Sequence, residues 1–295
     1  MKYTDGKHIQ PLPVEQLDCY DQISQQAWDA YTAEHSGESY VFGVPVNIQG
    51  PLLYYRKDLL PDNWETEWDD DKNGIPDMTE YWTELYAYSK QIKEESGGTR
   101  FGYMKSLFDT YFSSGFLFSY GGYVFGDGGY YTTDIGFSAG DAYKGAYILR
   151  QLASVMNQDC IDDTITVNAY SMLGNGTYFA TMTTPDVYTL FLDELAKEYM
   201  RTEKLSEDAA YAKAKENLVA ADIPKLPASC NMEERNAEMV DSVMMGGVNG
   251  YAISTYTKAP NAALAFVNFA TSYEMISRRN ERLGIAPARE DAAAQ

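Results

Sequence analysis

Apolar residues fall along this chain in short blocks, separated by longer stretches in which they recur periodically. Tyr40-Val41-Phe42-Gly43-Val44-Pro45-Val46-Asn47 reads as a short buried strand ending at polar residues, and Leu52-Leu53-Tyr54-Tyr55 as the next. Tyr81, Leu85, Tyr88 and Ile92 share one helical face, and Gly97-Gly98 marks the end of that helix. A second helix is predicted over 142–156. Residues 193–220 are charged, rich in Ala and free of Pro and Gly, which predicts one continuous helix on a surface excursion. A further helix over 262–269 follows the Pro260-Asn261 turn. Short strands alternating with longer helices define an α/β class.

Length extends this picture to two lobes, since 295 residues exceed one domain of ~150. A hydrophobic fraction of 45% supports a real core. Tyrosine stands out, with 25 Tyr against 12 Phe and 4 Trp, and its flat apolar face with a polar tip suits wet clefts. The formal charge of −20 repels nucleic acid and anionic membrane surfaces and favours a divalent cation. Cys19, Cys160 and Cys230 are odd in number and widely spaced, so they indicate neither a zinc cage nor a disulfide framework. No apolar run approaches the ~18 residues of a membrane span. The opening Met1-Lys2-Tyr3-Thr4-Asp5-Gly6 is polar and has no signal-peptide character.

The strongest chemical motif is Asp69-Asp70-Asp71-Lys72-Asn73-Gly74-Ile75-Pro76-Asp77-Met78-Thr79-Glu80. A calcium loop of the EF-hand type needs side-chain oxygens at positions 1, 3, 5, 9 and 12, a carbonyl at 7 and Gly at 6. Asp69, Asp71, Asn73, Asp77 and Glu80 fill the side-chain positions, Ile75 offers the carbonyl, and Gly74 permits the turn. Pro76 removes a backbone donor, and Leu60-Pro61-Asp62-Asn63-Trp64 lacks a helical pattern. The loop is therefore expected to stand alone as a structural calcium clip at the start of the following helix.

Catalytic signals are weak. His8 and His35 are the only histidines, and neither lies in HExxH. Gly136-Phe137-Ser138-Ala139-Gly140 fits a nucleophile elbow in letters, but no buried strand precedes it and no histidine follows. Ser138 is expected to be a turn residue. No enzyme activity is expected; the alternative is a secreted, calcium-stabilised glycoside-active enzyme, because paired carboxylates cannot be recognised by spacing.

Four stretches carry a resemblance. They are Gly43 to Leu60; Gly121 to Phe125 with Asp134 to Phe137 and Lys144-Gly145-Ala146; Gly174 to Pro185; and Gly246 to Ser254 followed by 263–269 and Leu283 to Arg289. In order and spacing they resemble the extracytoplasmic solute-binding proteins of carbohydrate ABC transporters, the maltodextrin-binding-protein-like family. The resemblance implies two α/β lobes of type II-like periplasmic-binding-protein fold, joined by hinge strands at 47–52 and 246–250. It implies a first lobe of residues 1–48 and 250–287, a second lobe of 52–245 carrying the calcium loop, and a C-terminal region beginning at 288–295. Family members are longer at both ends, so the first lobe is expected to be incomplete here. The implied partners are a carbohydrate and the transporter's permease subunits, for a monomer in the periplasm or lipid-anchored at the cell surface.

The resemblance also suggests ligand contacts. Gln49 takes the place of an acidic hydroxyl ligand, and Tyr111 with Asp109 matches a stacking Tyr beside a carboxylate. Asp186 stands where the maltodextrin binder has a stacking Trp, leaving Tyr188 to reach in its place and leaving the solute open among other oligosaccharides and cationic or amino-sugar solutes. Such sites need aromatic faces against ring C–H groups and polar side chains against hydroxyls.

Overall fold

The computed structural model describes residues 2–35, 37–126, 129, 131–161 and 164–293. The chain packs as two compact units, one of Met1–Gly50 with Gly246–Gln295 and one of Pro51–Met245.

In the first unit the strand Val44–Gln49 pairs antiparallel with Gly247–Tyr251, with a bulge after Asn249. Gly250 is required there, since a Cβ would lie 2.4 Å from the Val44 carbonyl oxygen. Ala288 N–H donates to Val46 O and Ile48 N–H to Ala286 O, so residues 286–288 run along the other edge of this strand. The strand expected over 40–47 is two: Glu38–Val41 pairs with Thr32–His35, and Val44–Gln49 starts afresh. Phe42-Gly43 separates them, with Gly43 pressed against the Tyr31 ring. Leu12, Val14, Leu17, Trp28, Val44, Ile253 and Val267 form the core. The helix Pro260–Ala270 opens on its proline, where the missing N–H costs nothing. The next helix, Tyr273–Leu283, ends on Gly284 in the left-handed region.

The second unit is built on four strands in the order Phe101–Met104, Tyr178–Thr183, Leu52–Arg56, Leu218–Ala221. The first two are parallel, and the other pairings are antiparallel. Every residue of Tyr178–Thr183 is buried, including Thr181, whose hydroxyl donates to Met104 O. Helices Trp82–Glu95, Ala142–Val155, Tyr188–Glu203 and Glu207–Asn217 contribute Trp82, Leu85, Ile148, Leu152, Leu195 and Ala210 to one core with this sheet. Gly145 lets Ala142–Val155 approach Thr110–Phe118, since a Cβ would come within 2.2 Å of the Phe116 carbonyl oxygen.

The continuous helix expected over 193–220 is corrected in two ways. Lys204 adopts φ 60° and ends Tyr188–Glu203, and Ser206 then caps Glu207–Asn217 by accepting from Ala209 N–H. The stretch is not an excursion either, because Leu195, Ala196, Tyr199, Ala210 and Ala214 are buried and Leu218–Ala221 completes the sheet. Ser138 lies exposed in a turn, as the sequence implies.

Candidate functional site

Strand direction gathers one set of side chains at a single end of the second unit's sheet. Phe101–Met104 and Tyr178–Thr183 are parallel, so both deliver their following residues to that end. Leu52–Arg56 runs the other way, with Leu52 opposite Thr183 and Tyr54 opposite Thr181, so its beginning lies there too. Lys105, Asp109, Tyr111, Asp186, Tyr188 and Tyr54 are thereby assembled outside the carboxyl ends of the parallel strands, where open α/β sheets bind ligands.

Each is held by local chemistry. Asp109 accepts from Tyr111 N–H and caps the helix Thr110–Phe118, which fixes Tyr111 in the first turn. The Tyr111 ring meets Phe112 edge-on, with centroids 5.1 Å apart. Tyr188 lies 5.8 Å from Tyr54, and Tyr170 packs on Phe191 at 4.7 Å. Burial pushes the Tyr54 phenol up to about 12, with smaller contributions from Tyr188 and Asp186. Burial, then Asp186, also raises Tyr111 and Tyr170, so the charge of Asp186 is felt at three phenols.

Lys105 is the site's cation. Its Nζ sits 3.7 Å from Asp109 and 3.5 Å from the centroid of Phe112. It borders a small cavity of about 60 Å³ with Ser106, Tyr170, Thr181 and Thr183. Burial lowers its ammonium to about 8, against the opposing pull of Asp109. The unfolded chain holds this proton up to the ordinary lysine value of ~10.4, so stability is expected to rise as pH climbs from about 8 to that value, by roughly 3 kcal/mol. Urea unfolding at several pH values should show that slope in the native protein and its loss in Lys105→Met.

Gln49 belongs to the first unit, half-buried at the end of Val44–Gln49 and paired with Gly247. Sequence reasoning missed Tyr54, Lys105 and Tyr170. Lys105 carried a usable signal, a cation directly after a buried strand. Tyr54 and Tyr170 carried none, because strand register and helix docking place them.

The loop 69–80 forms a second constellation in the same unit. Carboxylate oxygens of Asp71, Asp77 and Glu80 lie within 4.8 Å of one another. The Asp69 carboxylate accepts from Asn73 N–H and Gly74 N–H, and the Asp77 carboxylate accepts from Asp70 N–H. Asn73 Nδ2 donates to Asp71 and Glu80, while its Oδ1 accepts from Ile75 N–H. Asn73 thus presents its amide nitrogen, not its oxygen, to these carboxylates. Gly74 has φ 81°, as the sharp turn requires. Asp77 and Asp69 are buried, and Asp77 and Glu80 are raised by burial and then by their carboxylate neighbours. The converging oxygens of Asp71, Asp77 and Glu80 fit a calcium ion, which would relieve that repulsion, while the Asp69 carboxylate lies outside that cluster. Glu80 sits between a short turn, Asp77–Thr79, and the helix Trp82–Glu95, and upstream there is only the single turn Trp64–Glu67.

The loop is tied into the unit at several points. Asp77 N–H donates to Trp68 O, Lys225 N–H to Glu80 O, and Trp82 N–H to Lys225 O. Arg235 stacks over Trp68 and pairs with the buried Glu84. Beside the loop, Asp70, Asp71, Asp77, Glu84 and Arg235 border a cavity of about 300 Å³.

Two α/β units, one presenting aromatic and charged side chains at the strand ends of an open sheet, define a two-lobed periplasmic-binding-protein fold. The chain belongs to the bacterial extracellular solute-binding proteins, whose family pattern matches residues 9–275. No curated protein matches it in sequence. Among solved structures it is similar to the maltose-binding periplasmic protein MalE of Listeria monocytogenes in complex with maltose, at 22% identity and a TM-score of 0.66, covering 99% of this chain and 63% of that one. It is also similar to MalX of Streptococcus pneumoniae in complex with maltopentaose, at 20% identity and a TM-score of 0.69, covering 99% of this chain and 65% of that one. A cyclo/maltodextrin-binding protein complexed with maltotetraose aligns with 100% of this chain and 63% of its own, at 20% identity and a TM-score of 0.67. The chain thus spans less than two thirds of the length of these structures. Among the described residues no helix is long and apolar enough to cross a membrane.

Proposed function

We propose that the protein captures a carbohydrate outside the cytoplasm and presents it to the permease subunits of an ABC transporter, with no chemistry of its own. The carrying observation is the gathering of the half-buried Tyr111, Tyr170 and Tyr188 with Asp109 and Asp186 at the strand ends, the buried Tyr54 backing Tyr188. Aromatic faces suit sugar C–H surfaces, and carboxylates accept from hydroxyls. The family supports a binding role, and the sugars named with the similar structures support the solute class. The chain crosses between units at Gly50/Pro51 and Met245/Gly246, and we read these crossings as the hinges. Lipid anchoring or a periplasmic location, and a monomeric state, belong to the same reading.

A glycan panel followed by thermal shift, with calorimetry on the hits, tests the proposal. Tyr111→Ala is expected to weaken binding about tenfold or more through loss of a stacking face. Release of hydrolysis products from any hit would overturn the binding role in favour of a glycoside-active enzyme. Asp69, Asp71, Asn73, Asp77, Glu80 and the Ile75 carbonyl are further proposed to hold one structural calcium ion.

A further inference from the structure

The two carboxylates of the sheet-end cluster are used differently. Asp109 caps a helix and neighbours Lys105 at 3.7 Å. Asp186, in the short turn Pro185–Val187 that leads into the Tyr188–Glu203 helix, is exposed and pairs with no cation among the described residues. Its charge acts on the phenols of Tyr54, Tyr111 and Tyr170, and two residues further on the half-buried Tyr188 packs its ring on the buried Tyr54. Lys105 does not neutralise it, because that ammonium is largely buried against Phe112 and Asp109.

From this geometry we propose that the solute is an amino sugar or an oligosaccharide of amino sugars, its ammonium group received by Asp186 among the tyrosine faces. The inference rests on the carbohydrate reading above and narrows it. An ammonium gains a charge-assisted hydrogen bond from the carboxylate and attraction to aromatic faces, neither of which a neutral hydroxyl obtains in full. A net charge of −20 also enriches cations around the protein before they bind. An anionic sugar would meet the opposite field, and Lys105, the cation at this end of the sheet, is already engaged with Asp109 and Phe112.

The test compares matched ligands by titration calorimetry: cellotetraose, its 2-amino counterpart, its 2-acetamido counterpart, and maltotetraose as a reference of different linkage. With the amines protonated and at low salt, the 2-amino tetramer is expected to bind about tenfold tighter than its acetylated and hydroxyl counterparts. Added salt should shrink that ratio, and Asp186→Asn should bring it close to one, with the melting temperature checked to confirm folding. Equal or tighter binding of the neutral tetramers, or an amine preference that survives Asp186→Asn, overturns the inference and leaves the carbohydrate reading standing. Binding of none of the four sugars overturns both.

Discussion

Saturating calcium is expected to raise the melting temperature by about 5–10 °C, and EDTA to remove the gain. The size follows from linkage: a ligand at a hundredfold excess over its dissociation constant stabilises by about 2.7 kcal/mol, and each kcal/mol moves a protein of this size by ~2–4 °C. The carboxylates of Asp71, Asp77 and Glu80 converge within 4.8 Å, a repulsion that a divalent ion would turn into attraction. Asp77→Asn should abolish the calcium gain. It should leave the calcium-free melting temperature nearly unchanged, since an amide oxygen can still accept from Asp70 N–H and one of the mutually repelling charges is removed. Calorimetry with no heat on calcium addition, together with a melting temperature indifferent to EDTA, would sink the assignment. Pro76 and the single upstream turn Trp64–Glu67 leave the loop without the paired partner of a sensor. Its bonds to Trp68 and Lys225 instead tie two stretches of one unit together, as the proposed structural clip requires.

Much of this arrangement is legible along the chain, and what is not has a physical cause. Leu85 and Tyr88 announce the Trp82–Glu95 helix because one face of it must be buried. The break at Lys204 is hidden, since a lysine in the left-handed region leaves no glycine to mark it. Tertiary context chose that stop: it turns the chain so that Leu218–Ala221 can pair with Leu52–Arg56. Asp109, Tyr111, Asp186 and Tyr188 are named through family resemblance, and the sheet brings them to one end. Tyr54 joins them only because its strand runs antiparallel to Tyr178–Thr183, a direction that no local pattern in Leu52-Leu53-Tyr54-Tyr55 encodes. The loop 69–80 is the opposite case, because all its proposed donors lie within one short segment.

The same strand carries the second large expectation, at its far end. Arg56→Met is expected to cost about 3–5 kcal/mol of stability, read from the midpoint of urea unfolding. Arg56 is 4% exposed, grips Asp58 through two bonds of 2.7 Å, and donates to the carbonyls of Leu173 and Gly174 at 2.8 and 2.7 Å. Tyr199 donates to Asp58 from the other side at 2.7 Å. Removing the guanidinium leaves a partly buried carboxylate facing one hydroxyl and strips the end of the Thr164–Gly174 helix of two capping bonds. Burial alone would raise the Asp58 carboxyl, but the bonds and charge of Arg56 and the Tyr199 hydroxyl outweigh it and hold it below the ordinary range. Its contribution is therefore full above the unfolded value near ~4 and disappears as pH falls through the depressed folded value. Arg56→Met should flatten that acid dependence, and adding Asp58→Asn should recover part of the loss, because the stranded charge goes with it. The clamp joins the strand bearing Tyr54 to the helix bearing Tyr170, so the single variant is also expected to bind solute more weakly where it remains folded. A loss below about 1 kcal/mol would place Arg56 among ordinary surface pairs and remove the link between this buried cluster and the aromatic end of the sheet.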